Sequence, residues 1–143
     1  MAESRVTFNW QRRPGGRLTE GLRAVAEAAM GRLGAAPAGV GVLVCDDATI
    51  RSLNRHFRHK DAPTDVLSFQ GGFSEPGGVP YLGDVAISLE TARRQAAEAG
   101  VPVERELQLL LLHAIIHLCG FDHETDGGEM AALEGKLRGE LLP

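Results

Sequence analysis

Val6 to Trp10 mixes apolar and polar residues in the manner of a short strand, and Arg13-Pro14-Gly15-Gly16 ends it. Leu18, Leu22, Val25, Ala26, Ala29 and Leu33 then recur at helical spacing, with Thr19 as candidate cap and Gly34 as stop. Gly39 to Cys45 is a compact β-branched run and predicts a second strand. Asp46-Asp47 opens a helix carrying Ile50, Leu53, Asn54 and Phe57, which Lys60-Asp61-Ala62-Pro63 breaks, because the residue before a proline is biased out of the helical region. Thr64 to Phe69 predicts a third strand, followed by a glycine- and proline-rich loop of about ten residues. Leu82 to Ser88 predicts a fourth strand, and Ser88 caps a helix that runs through Ala99 to a stop at Gly100.

The most apolar helix opens at Val101-Pro102 and ends near Gly120, with Glu104 and Glu106 favouring its positive end. Asp126 with Glu129 three residues later reads as a capping box for a last helix through Leu141. There is no repeat and no regular βαβ alternation. The expectation is an α+β fold: one domain over residues 1–143, with a mixed sheet of about four strands packed with helices.

Length and composition agree with this. A chain of 143 residues, 43% hydrophobic and 24% charged, is an ordinary globular domain rather than a fibrous or disordered one. The longest apolar stretch, Leu107 to Leu118, is interrupted by Gln108, His113 and His117 and falls short of the roughly 18 residues a membrane span needs. The first ten residues contain no apolar signal region, and two cysteines, Cys45 and Cys119, fit a reducing compartment, so a cytoplasmic location with no membrane partner is expected.

The net charge of −4 argues against a polyanionic partner only until its distribution is considered. Between Arg5 and Arg23 five arginines face one acid, Glu20, and Arg51, Arg55, Arg58 and Lys60 follow one another with no acid between them. After Phe121 six acids face only Lys136 and Arg138. Such a dipolar chain can hold a polyanion at one face, although each run alone also fits a solvated surface.

The chemistry concentrates in the segment from His113 to His123, HAIIHLCGFDH. His113 and His117 are four apart, so on a helix both imidazoles project from one face. Gly120 can end that helix in a left-handed conformation and let the chain fold back, so that His123 supplies a third nitrogen. Three histidines with an open fourth position are a catalytic zinc arrangement, one ion per chain, and give a zincin-like core helix. The spacing is the metzincin one with a single substitution: Ala114 stands where a zinc peptidase carries its glutamate base. Cys119 reads as packing, and Asp122 as either a carboxylate orienting a ligand histidine or a plain turn residue.

A second cluster, LNRHFRHKDAPTDVLSF, places Arg58 and Lys60 near the end of a predicted helix. Cations there are favoured by the helix dipole alone, but a phosphodiester substrate also needs them, since its transition state adds negative charge.

HAIIHLCGFDH resembles the H-G-x-L-H-L-x-G-Y-D-H signature of the YbeY family of bacterial endoribonucleases, and LNRHFRHKDAPTDVLSF and LGDVAIS resemble that family's other two motifs. Ala114 replaces the usual glycine, Phe121 the usual tyrosine, and Gln70 stands where proline is common. The resemblance implies that His113, His117 and His123 bind zinc, that Arg58 handles the scissile phosphate and that Lys60 assists. It further implies cleavage of single-stranded RNA in ribosomal RNA maturation, including the 3′ end of the small-subunit RNA, and a part in ribosome quality control. Implied partners are ribosomal RNA, the small subunit, and ribosomal proteins or a GTPase assembly factor.

Three imidazoles bring the pKa of a zinc-bound water to about 7, which compensates for the missing glutamate. The RNA's own 2′-hydroxyl is the alternative nucleophile. Two rival classes share the histidines. A zinc-dependent peptidase or amidase needs a base from elsewhere, for which Glu124 and Asp84 are loose candidates. A ribosome-assembly factor stapled by zinc needs no turnover.

Overall fold

The computed structural model describes residues 5–11, 17–35, 38–71, 81–121 and 127–142. Along the chain these form β1 (Val6–Trp10), α1 (Arg17–Arg32), β2 (Gly39–Cys45), α2 (Asp47–Arg58), β3 (Val66–Gln70) and β4 (Tyr81–Ser88). Three helices follow, α3 (Leu89–Ala99), α4 (Val103–Leu118) and α5 (Glu129–Leu141). The strands make one sheet in the order β1-β2-β4-β3, with β1, β2 and β4 parallel and β3 antiparallel at the edge. The architecture is the α+β one expected, with a mixed four-stranded sheet.

The two faces of the sheet differ because β2 alternates its three valines with Gly39, Gly41, Leu43 and Cys45. Val40, Val42 and Val44, with Val85 and Ile87 of β4, form one core with α1 and α4. At the centre of that core α4 buries Leu107, Leu111, Leu112, Ile115 and Ile116 completely. A helix so apolar on most of its surface is stable only when surrounded, and α4 packs on α1, α3, α5, β3 and β4. On the opposite face a smaller cluster of Cys45, Ile50, Leu67 and Ala86 seats α2. That helix covers one part of this face.

The strand and helix ends follow local chemistry. Asp46 caps α2 by accepting the Thr49 N–H at 2.8 Å, and Ser88 caps α3 by accepting the Thr91 N–H at 3.2 Å. Gly34 and Gly100 both take positive φ where their helices stop. Two expected caps differ. Thr19 lies inside α1, which starts two residues earlier, and its hydroxyl accepts the Trp10 indole N–H at 2.8 Å. The expected capping box also fails as drawn: α5 begins at Glu129 itself behind Gly128, whose φ is 106°, and the Glu129 carboxylate accepts the Gly127 N–H at 2.6 Å. Asp126 lies outside the described residues.

The start of α2 is locked to α3 through Asp47, which accepts the Ser88 hydroxyl at 2.5 Å, the Thr91 hydroxyl at 2.7 Å and Arg94 at 3.0 Å. Burial pushes this carboxyl up, but those three donors and the Arg94 charge outweigh it and hold its pKa below the ordinary value. A depressed carboxylate stabilises the fold above its unfolded pKa of about 3.9, and that contribution disappears as pH falls through the lower folded value. Asp47→Asn is therefore expected to cost about 1 to 3 kcal/mol in urea denaturation at pH 7. The gap to wild type should shrink below about pH 4; a gap independent of pH would mean that the charge contributes nothing.

Candidate active-site groove

Beyond the edge of α2 none of the other described helices covers the sheet's second face, which forms the floor of a groove of about 1110 Å³. The floor is low because β2 presents Gly41 there, in register with Asp84 of β4. A Cβ on Gly41 would stand 2.5 Å from the Asp84 carboxylate and 2.8 Å from the Tyr81 hydroxyl, so only glycine admits both side chains. Tyr81 donates its hydroxyl to Asp84. Burial first, then the Asp84 carboxylate, pushes the phenol up to about 12, which keeps it protonated and donating.

One wall is the end of α2. Arg58, its last residue, lines the groove. The guanidinium donates to the Ser68 carbonyl at 2.5 Å and lies 5.7 Å from the centroid of the Phe69 ring. Both contacts fix a planar cation that otherwise has several rotamers, and leave further N–H donors to meet an anion. His59 ends the helix with φ 60°, and Lys60 stands exposed in the turn beyond, outside the lining of the groove. That turn is tied back to α2 by Asn54, which donates to the Ala62 carbonyl at 2.9 Å, and by the Arg51 to Asp61 ion pair at 2.8 Å. Arg51 is thus partly neutralised by an acid one residue beyond the basic run.

His117 enters the same groove from α4. It can do so because α4 approaches β4 at Gly83, where a Cβ would stand 2.9 Å from Leu118 Cδ2 and 2.1 Å from the Phe69 carbonyl oxygen. Gly83 adopts φ 148°, which a side chain rarely tolerates. The adjacent histidine is thereby carried to the groove that holds Arg58.

His113, one turn earlier and 35% exposed, turns toward α5, where both carboxylate oxygens of Glu134 lie 3.0 Å from its Nδ1. That hydrogen bond is the main reason its pKa is raised; burial opposes the shift, and the charges of Glu134 and Asp65 add to it. The carboxylate demands a proton on Nδ1, which assigns any metal bond to Nε2. Carboxylate, histidine and metal in that order is how proteins orient ligating imidazoles and raise their basicity. The donors present therefore fit a divalent ion. Among the described residues no three His, Cys, Asp or Glu side chains gather into a metal-holding group. His123, Asp122 and Glu124 lie outside the described residues. Gly120, two residues past the end of α4, takes φ 105°, as a chain leaving the helix there requires.

Glu134 was not visible to sequence reasoning, since it is 21 positions from His113 and reaches it only because α5 packs on α4. Glu134→Ala is expected to weaken metal binding roughly 10- to 100-fold, and Glu134→Gln less. Competition with a fluorescent chelator measures this; equal affinity in all three proteins would deny Glu134 the role.

A guanidinium fixed at the end of α2 and an imidazole from α4 thus line one groove over the sheet of an α+β domain. The family model for "Endoribonuclease YbeY" matches residues 11–141. The chain belongs to the YbeY family of endoribonucleases, and cleavage within an RNA chain is the reaction for which that family is named.

The chain is 52% identical over 99 residues to Endoribonuclease YbeY of Solibacter usitatus, covering 69% of this chain and 63% of that one. With the Aquifex aeolicus protein of the same name identity is 50% over 104 residues, covering 73% and 69%. With that of Moorella thermoacetica it is 44% over 123 residues, covering 80% and 79%. Against the Solibacter protein the match thus spans less than two thirds of the relative's length. Among solved structures, the solution structure of TM1509 from Thermotoga maritima superposes with a TM-score of 0.66 at 27% identity, over 95% of this chain and 88% of that one. No helix among the described residues is long and apolar enough to cross a membrane.

Proposed function

We propose that the protein is a metal-dependent endoribonuclease for single-stranded ribosomal RNA, acting in its maturation, including the small-subunit 3′ end, and in ribosome quality control. In this reading residues 1–143 work as one catalytic domain in the cytoplasm, and His113, His117 and His123 hold one zinc ion. Ribosomal proteins of the small subunit or a GTPase assembly factor direct it to its site.

The observation that carries the reading is that His117 and Arg58, 59 positions apart in sequence, line one groove. Bound zinc supplies Lewis acidity and an acidified water. Arg58, held between the Ser68 carbonyl and the Phe69 ring, presents its remaining N–H donors to a non-bridging phosphate oxygen and needs little reorganisation as charge builds there. Glu134 holds the proton of His113 at Nδ1 throughout. Lys60, exposed beyond the groove, contributes at longer range by drawing the RNA backbone toward it, an effect that salt screens over about 8 Å. Ala114 is buried in the core and offers no base, which disfavours the peptidase reading.

The test is cleavage of a single-stranded RNA oligomer beside its duplex and a casein-type protein, before and after chelation. Cleavage confined to the single strand, lost on stripping and restored by zinc, supports the proposal. RNA cleavage that survives stripping, or turnover of casein alone, overturns it. A 2′,3′-cyclic phosphate product end assigns the attack to the RNA's own hydroxyl, whereas a 3′-hydroxyl facing a 5′-phosphate end assigns it to water.

A further inference from the structure

Phe57 and Tyr81 are the two large hydrophobic side chains left exposed among the described residues, 56% and 38% respectively, and both line the same groove. Single exposed apolar residues need no explanation. Two aromatic rings on one functional face, each fixed by its neighbours, do. Phe57 packs edge-to-face on Phe69 with centroids 5.2 Å apart, and on His56 at 4.6 Å. Tyr81 is tethered through its hydroxyl to Asp84, and its ring lies so close over β2 that a Cβ on Gly39 would come within 2.8 Å of it. Neither ring needs to lose much rotamer freedom to receive a flat ligand.

Their surroundings identify that ligand. Arg58 follows Phe57 directly and turns its guanidinium over Phe69, so an aromatic surface and a phosphate-binding cation alternate along one wall. Nucleotides alternate base and phosphate in the same way. Unpaired bases stack on aromatic side chains, whereas bases inside a duplex already stack on one another and present no face.

We propose that Phe57 and Tyr81 are nucleobase-stacking platforms on either side of the groove, and that they are the source of the enzyme's preference for single strands. This rests on the reading of the substrate as RNA. Phe57 takes the base next to the phosphate held by Arg58, and Tyr81 takes a base further along the strand.

The experiment uses the intact protein and a 2′-O-methyl RNA oligomer carrying 2-aminopurine, whose fluorescence is quenched by stacking, with gel analysis establishing that the oligomer stays intact throughout. Wild type is expected to bind the single strand in preference to the duplex and to change the 2-aminopurine signal. Phe57→Leu, apolar but unable to stack, should bind the single strand roughly 5- to 100-fold more weakly with duplex binding unchanged. Phe57→Tyr should restore both affinity and signal, and Tyr81→Leu should repeat the loss where Tyr81→Phe does not. Thermal melts confirm that each variant is folded. Single-strand binding of Phe57→Leu and Tyr81→Leu within twofold of wild type, equal losses on both RNA forms, or failure of Phe57→Tyr to restore binding would each overturn the proposal. Absence of any RNA binding by wild type would instead defeat the RNA reading itself.

Discussion

His117→Ala is expected to release the bound ion and to lower RNA cleavage by more than about a hundredfold, a larger loss than outer-sphere changes produce. The side chain is only half-buried at the end of α4 and lines the groove, so its truncation opens no cavity in the core. The melting temperature of the metal-free protein should therefore stay near that of metal-free wild type. His113→Ala should share the loss of metal and cleavage, and in addition removes the contact that its Nδ1 makes with the Glu134 carboxylate at 3.0 Å. That variant is expected to melt lower. Metal content by elemental analysis and melting curves with and without chelator separate the two effects. Stoichiometric ion retained by His117→Ala would remove this histidine from the ligand set. Catalytic inactivity explained wholly by unfolding of both variants would favour a zinc that only staples the fold.

The second large effect is expected at Arg58. Arg58→Glu should keep its metal and melting temperature while cleavage falls roughly 100- to 1000-fold, the range for removal of a donor aimed at developing charge. Arg58→Lys should recover only part of the activity, because an ammonium cannot keep the planar contacts to the Ser68 carbonyl and the Phe69 ring while binding a phosphate oxygen. Lys60→Glu, beyond the groove, should act mainly on binding and fade as salt rises. Normal turnover by Arg58→Glu would take this residue out of the mechanism. A loss at Lys60 equal to that at Arg58 would show that the position inside the groove is not what matters.

Much of the molecule was readable along the chain. The strands Val6–Trp10 and Gly39–Cys45 and the helix from Leu89 to Ala99 between Ser88 and Gly100 stand where periodicity and caps put them. Where expectation and structure part, a distant partner intervenes: Thr19 is held by the Trp10 indole inside a helix that begins before it. The basic run from Arg51 to Lys60 was legible as a cationic surface, yet its members have different surroundings, Arg51 on Asp61, Arg58 in the groove and Lys60 outside it.

The pairing of His113 with His117 on one helical face, the loss of a peptidase base at Ala114 and the order of helices and strands depend on residues within about a turn of one another, and the sequence by itself determined them. Which imidazole meets Glu134 and which meets the groove, and that Tyr81, Asp84, Phe57 and Arg58 line one groove, were decided only by tertiary structure. The reason is physical. Those relations depend on how α4 seats against α5 and Gly83, and on two glycines of β2 that leave room above the sheet, contacts between segments that no local periodicity encodes.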